Sequence, residues 1–213
     1  KVDEIIYEDY NENIIFNTKL AQFDVREELI SGQLGNIDIN TLKSKDAFKS
    51  LKNLNFYKNN LTFKETRFQI TLDGKLLIKT NYESIPIEID GNLSNDYLLN
   101  ADINVKLADT KIPNVLLNKK NPLNLSFTET SDITASGLVK VKVFQNKFLA
   151  SSLDIKLKKP SESEFFISYD NFNYPISNLT IRANILENEI KIENCTISNS
   201  TSDILVKGKI ENL

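Results

Sequence analysis

Histidine, methionine and tryptophan are absent from the 213 residues, and cysteine occurs once, at Cys195. Without histidine the chain lacks the commonest general base near neutral pH and the commonest neutral metal ligand. A single cysteine excludes an intramolecular disulfide framework and leaves the redox compartment open. In the alternating context "ENCTIS", Cys195 reads as a packed thiol. The missing methionine includes an initiator, which points to a fragment or a processed chain. Glycine (6) and proline (5) are scarce, and the glycines are too dispersed for a phosphate-cradling loop. No apolar run approaches the roughly 18 residues of a membrane helix. No secretory leader is visible either, so any anchor is expected outside these residues.

Neither sign of charge dominates. Basic residues number 26 and acidic residues 29, for a net −3, well mixed along the chain. That excludes the basic face of a nucleic-acid binder. The densest basic cluster, Lys156-Leu157-Lys158-Lys159, reads as a solvated strand end. Neighbouring acids such as Glu27-Glu28 and Glu162/Glu164 are usual on wet surfaces, and none stands out as a catalytic pair. The expectation is a protein that is no enzyme and takes no cofactor or metal.

What is abundant is period-two alternation. Ala101, Ile103, Val105 and Leu107 share one face of a strand, as do Val139, Val141 and Val143. The pattern returns at Leu153, Ile155 and Leu157, at Leu179, Ile181, Ala183 and Ile185, and at Ile190 and Ile192. Such alternation marks strands with one apolar and one wet face. Turn chemistry separates them, at Asn95-Asp96, Gln145-Asn146-Lys147, Glu187-Asn188 and Ser198–Ser202. Strands so closely joined read as an antiparallel meander. One helix is expected near residues 44–54, where Ala47, Phe48, Leu51 and Leu54 have helical spacing behind Ser44 as N-cap. Residues 111–120, with Pro113, read equally as a short helical turn or a loop. The densest aromatic patch, "SEFFISYDNFNYP" (Ser163–Pro175), reads as strand packing with a turn at Asn171 to Pro175.

Five of the six glycines occupy one slot, apolar-x-apolar-x-Gly-x-apolar. It fits Ile70/Leu72/Gly74/Leu76, Ile87/Ile89/Gly91/Leu93, Ile133/Ala135/Gly137/Val139 and Ile204/Val206/Gly208/Ile210, with a weaker copy at Ile30/Gly32/Leu34. A hairpin turn would favour Asn or Asp before each glycine. The preceding residues are Asp, Asp, Ser and Lys in the four good copies, and Ser in the weak one. The expectation is therefore a bend or close backbone approach inside a strand. Asp73 and Asp90 keep the turn reading open for two copies.

The C-terminal third, from "ISYDNFNYP" through two alternating strands to the last glycine unit, resembles the repeating β-unit of the AsmA-like superfamily (YhdP- and TamB-type envelope proteins). The units at Gly74, Gly91 and Gly137 extend the resemblance over residues 61–213. Residues 1–60 share only β-richness and an intervening helix, and the two parts are expected to form one continuous domain. The resemblance implies a mainly β fold, a curled antiparallel meander forming an open taco-like groove with one short helix. It implies a periplasmic segment of a Gram-negative envelope protein, anchored in the inner membrane by a part outside this chain and continued by further β-repeats. The groove would conduct phospholipid acyl chains passively between the two membranes. Its lining would be the apolar stripes: Ile70, Leu72 and Leu76; Ile87, Ile89 and Leu93; Ile103, Val105 and Leu107; Val139, Val141 and Val143; Leu153, Ile155 and Leu157; Ile181 and Ile185; Ile190 and Ile192; Val206 and Ile210. A one-sided meander with one helix needs some such cover for its apolar face. Two alternatives share the alternation: a closed β-sandwich acting as an interaction or adhesion module, and a jellyroll segment handling lipopolysaccharide.

Overall fold

A computed structural model describes residues 2–8, 14–40, 60–96, 98–112, 126–128, 132–144, 147–159, 164–169, 172–186 and 189–211. The expected helix at 44–54, and all but Lys111 and Ile112 of the ambiguous 111–120 stretch, lie outside the described residues. Among those described there are sixteen strands and no helix. They are β1 (Val2–Glu8), β2 (Ile14–Arg26), β3 (Leu29–Leu34), β4 (Ile37–Asn40), β5 (Asn60–Thr71), β6 (Lys75–Tyr82), β7 (Ile85–Asp96) and β8 (Leu98–Lys111). After these come β9 (Ser126–Thr128), β10 (Thr134–Phe144), β11 (Lys147–Lys158), β12 (Phe165–Tyr169), β13 (Phe172–Ile176), β14 (Asn178–Leu186), β15 (Glu189–Ser198) and β16 (Asp203–Glu211).

The fold is mainly β, as expected. Thirteen strands share one sheet in the order β1-β2-β3-β5-β6-β7-β8-β10-β11-β14-β15-β16, with β4 pairing β2 and β5. The order begins at β1 and ends at β16, so the sheet is not closed into a barrel. Strands β9, β12 and β13 leave this path to form a three-stranded antiparallel sheet of their own. The chain divides into two compact units, one of residues 1–105 and 140–149, the other of residues 106–139 and 150–213.

In the first unit, β5, β6 and β7 form two successive hairpins. The first corrects the expectation for Gly74. β5 ends at Thr71, β6 begins at Lys75, and Ile70 pairs with Leu76 across a turn. Gly74 has φ +86°, a conformation that costs an L-residue steric strain, so here the Asp-Gly reading as a turn was the right one. Thr71 fixes the turn by donating to the Asp73 carboxylate and accepting from the Lys75 backbone N–H at 3.0 Å. The second hairpin, Tyr82 to Ile85, turns on Glu83 (φ 48°) and Ser84 (φ 71°). Two successive positive φ values are the signature of a type I′ turn, here built without the usual Asn-Gly. The other glycines of the repeat do lie inside strands: Gly32 in β3, Gly91 in β7, Gly137 in β10 and Gly208 in β16. β7 also runs on through the Asn95-Asp96 pair expected as a turn.

A bulge keeps the first unit's apolar face in phase. Lys64 pairs with Asn81 and Arg67 with Lys79, so Glu65 and Thr66 together oppose Thr80. Glu65 takes φ 54° to do so. Tyr82, Thr80, Ile78 and Leu76 alternate along β6 and share a face, and the bulge lets Phe63, Phe68 and Ile70 all meet that face. The Thr66 and Thr80 hydroxyls, both buried, bond to each other at 2.7 Å, and Thr80 Oγ1 donates onward to the Lys64 carbonyl at 3.2 Å.

The second unit holds the buried cluster of Ile133, Phe165, Ile176 and Leu179, flanked by Leu157, Ile167, Tyr174, Ile181, Cys195 and Ile197. β12 and β13 supply Phe165, Ile167, Tyr174 and Ile176, so the small sheet covers part of the apolar face of β11, β14 and β15. Full burial of side chains such as Phe165 and Ile176 contributes about 1.5–3 kcal/mol each. The aromatic patch is thus strand packing, but its turn falls earlier than expected: Tyr169 pairs with Phe172, and Asn173–Pro175 belong to β13. The basic cluster at the end of β11 also differs from expectation at one residue. Lys156 and Lys158 are exposed, whereas Lys159 is buried and its ammonium donates to the Glu164 carbonyl at 3.1 Å.

Candidate functional site

The candidate surface is the apolar face of the large sheet, and its clearest part lies on β11, β14, β15 and β16. Register places Leu157, Leu179, Ile197 and Ile204 side by side as one rung. Ile155, Ile181, Cys195 and Val206 make the next, followed by Leu153, Ala183, Ile192 and Gly208. Ser151, Ile185, Ile190 and Ile210 complete the series. Simple alternation would put Ile192 and Cys195 on opposite faces. A bulge at Glu193-Asn194 corrects the phase: both residues oppose the single Lys207, so Ile190, Ile192, Cys195 and Ile197 all share one face.

The first unit repeats the arrangement. Ile30, Ile70, Leu76 and Gly91 form one rung, and Gly32, Phe68, Ile78 and Ile89 form another. Leu179 and Ala183 are buried, but most stripe residues of both units are neither sealed nor bare. Ile70, Leu76, Ile87, Ile89, Leu93, Ile103, Val105, Leu107, Val139, Val141, Leu153, Ile155, Leu157, Ile181, Ile185, Ile190 and Ile192 are all half-buried. Val206 and Ile210 are more open, at 42% and 46%. Leu72 is 73% exposed because it sits in the β5–β6 turn and leaves the stripe. Val143 lies in β10, and its side-chain surroundings are outside the described residues. Residues that belong to the rungs but that a glycine-centred repeat passes over are Phe68, Ile78, Leu179, Cys195 and Ile197. Their alternation was visible for Ile78 and Leu179. The bulge hid it for Cys195 and Ile197.

Two of the strand glycines, Gly91 and Gly137, stand where the neighbouring backbone approaches closely. A Cβ on Gly91 would lie 2.6 Å from the Asp102 carbonyl oxygen, and one on Gly137 would lie 2.9 Å from that of Asp154. Both carbonyls belong to the adjacent strand, and such close backbone approach is what a glycine inside a strand permits.

The opposite face is polar. Arg182 donates twice to Asp154 Oδ2, at 3.1 Å from Nε and 2.9 Å from Nη2, across β11 and β14. Lys79 faces Glu88 at 3.4 Å, and Lys209 bridges Glu189 at 2.8 Å and Glu211 at 2.6 Å. Exposed pairs of this kind add about 0–1 kcal/mol each and mainly fix register. An open depression of about 450 Å³ in the first unit is lined chiefly from this polar face, by Gln22, Asp24, Gln33, Arg67, Gln69 and Lys79 among others.

Little in the electrostatics suggests chemistry. Burial pushes the Cys195 thiol up, away from the reactive thiolate. Hydrogen bonds from Lys75 and Thr71 hold the Asp73 carboxyl down to about 2, in an exposed turn. Lys111, by its hydrogen bond and its charge, likewise lowers Asp132. Among the described residues no group of three or more His, Cys, Asp or Glu is arranged to hold a metal ion, and no helix is long and apolar enough to cross a membrane. Comparison with protein-family models, with curated proteins and with solved structures gives no match.

Proposed function

We propose that this chain is a lipid-binding segment of an AsmA-like envelope protein, in which the apolar face of the sheet takes phospholipid acyl chains without catalysing a reaction. The observation that carries this reading is the phase of the apolar rungs. Bulges at Glu65 and at Glu193-Asn194 keep aliphatic residues on one face across successive strands, and most of those residues, Leu179 and Ala183 excepted, are not fully buried. A face kept in phase by two irregularities, and only partly sealed, suits a ligand with aliphatic chains, each buried methylene contributing about 0.8 kcal/mol. The close backbone approach at Gly91 and Gly137 supports a sheet able to curl around such chains. On this reading the site is the periplasm of a Gram-negative bacterium, the anchor lies outside these residues, and further β-repeats of a longer chain extend the surface.

A second reading is favoured by one observation. The small sheet seals part of the apolar face around Phe165 and Ile176, as the core of an interaction module would be sealed. One experiment separates the two. The chain, expressed in a Gram-negative host and purified without detergent, is examined by native mass spectrometry and lipid extraction. Stoichiometric co-purified phospholipid is the expected result. A lipid-free protein that also fails to take up a fluorescent fatty acid would overturn the lipid reading in favour of the interaction module.

A further inference from the structure

The depression of about 450 Å³ on the first unit is bordered by two cross-strand rows of the polar face. Register places Gln22, Gln33, Arg67, Lys79 and Glu88 in one row, and Asp24, Ser31, Gln69 and Leu77 in the next. Adjacent strands stand about 4.8 Å apart and alternate residues about 6.8 Å apart, so Gln22, Gln33, Arg67, Ser31 and Gln69 share a patch of roughly 10 by 7 Å. They come from β2, β3 and β5, each paired on both sides, so the patch owes nothing to a sheet edge. What sets it apart is that it is uncommitted. Elsewhere on the polar side, side chains of neighbouring strands bond to each other: Arg182 to Asp154, Asn184 to Glu193, Asn81 to Glu65 and Asn104 to Asp90. Here, among the described residues, these five side chains bond to no neighbour. The bordering charges are already neutralised, Asp24 by Arg26 at 3.0 Å and Lys79 by Glu88 at 3.4 Å. One positive charge, on Arg67, is left over.

We infer that this depression binds a saccharide carrying one carboxylate, a uronate, with the carboxylate on Arg67 and the hydroxyls shared among Gln22, Gln33, Gln69 and Ser31. Carboxamides and hydroxyls both donate and accept, as sugar hydroxyls do, so three glutamines and a serine match a polyol without adding charge. The guanidinium fork matches a carboxylate bidentately. A single uncompensated cation suits a monoanion, whereas a nucleic acid or polyphosphate needs several. Leu77, half-buried at the end of the second row, offers apolar surface to the C–H side of the ring. The volume falls within the range of small-ligand sites, and its open polar walls suit a hydrated ligand. The occupant is a soluble glycan and not a lipid headgroup, because an amphiphile lying on the apolar face cannot reach through the sheet. The inference therefore stands apart from the proposed function.

The test is an NMR titration of the isotope-labelled chain with glucuronate, glucose and acetate, each into the tens of millimolar. Glucuronate should shift the side-chain amide signals of Gln22, Gln33 and Gln69 and the Nε–H signal of Arg67, and the shifts should saturate. It should bind about tenfold or more tightly than glucose or acetate, each of which supplies only part of the contacts. Arg67→Gln should lower the affinity for glucuronate to that for glucose, with the rest of the spectrum in place as the check on folding. Lys209→Gln, on the polar face of the second unit, should change nothing. No saturable shift, shifts centred on other residues, or an affinity indifferent to Arg67→Gln would overturn the proposal. So would acetate binding as tightly as glucuronate, since the contact is then one with any anion and the amides take no part.

Discussion

Gly91 lies against Asp102 on the neighbouring strand so closely that a Cβ would stand 2.6 Å from the Asp102 carbonyl oxygen, while Gly208, in the same slot of the repeat, has open space around it. The two glycines therefore answer the same substitution in opposite directions. Gly91→Ala should destabilise the protein by about 1–3 kcal/mol, because a backbone carbonyl must move to admit the methyl. Gly208→Ala should be neutral or stabilising by up to about 0.5–1 kcal/mol, since alanine loses less entropy in a strand. Urea unfolding midpoints at constant m-value decide this.

The β6–β7 turn predicts a stabilising change. Ser84 holds φ 71° without being glycine. Ser84→Gly should raise stability by about 0.5–1 kcal/mol by removing left-handed strain, less the entropy that glycine loses. Gly74→Ala should do the reverse, and more strongly, because φ is +86° and a Cβ there would collide with the Leu93 carbonyl oxygen. Thermal melts of the two variants should move to opposite sides of the parent.

The Asp73 turn predicts a local acid transition. Its carboxyl is held at about 2, below the ordinary 3.8, first by the Lys75 hydrogen bond and then by that of Thr71. A lowered folded value means that the contribution is present above the unfolded value and is lost as pH falls from about 4 toward 2. Carbon-detected NMR should place the Asp73 carboxyl midpoint near 2, and Lys75→Gln should shift it up toward 3.8. A midpoint unchanged in Lys75→Gln would remove the hydrogen bond as the cause.

Cys195 predicts slow thiol chemistry. It is half-buried between Ile181 and Val206, and desolvation raises its pKa. At pH 8 its reaction with a disulfide reagent should be about tenfold or more slower in the folded protein than in denaturant.

The face assignment predicts an asymmetry between neighbours. Ile190 belongs to an apolar rung, and Lys191 next to it points to the polar face. Ile190→Asp should abolish uptake of a fluorescent fatty acid, whereas Lys191→Asp should leave it intact, with both variants checked for folding by circular dichroism. Equal loss in both would detach lipid uptake from this face.

Much of this was written in local pattern. Alternation at Leu153–Leu157 and Leu179–Ile185 alone specifies strands with one apolar face, because side chains two apart must share a side. Four of the five repeat glycines fall inside strands, as an unfavourable turn residue before Gly137 and Gly208 implied. Gly74 escaped because a hairpin and a bent strand place the same residues around the glycine, and only the pairing of Ile70 with Leu76 separates them. The tight turn at Glu83-Ser84 left no trace, since neither residue favours positive φ by itself.

The sequence by itself determined a β-rich chain with no histidine chemistry, and the apolar stripes follow from spacing alone. Tertiary structure decided which stripes meet. Bulges at Glu65 and Glu193-Asn194 are set by the register of the partner strand, so the continuity of the apolar face is a property of pairing and not of any one segment. It also decided that Phe165 and Ile176 fold over part of that face, because whether a side chain is buried depends on strands far away in the chain.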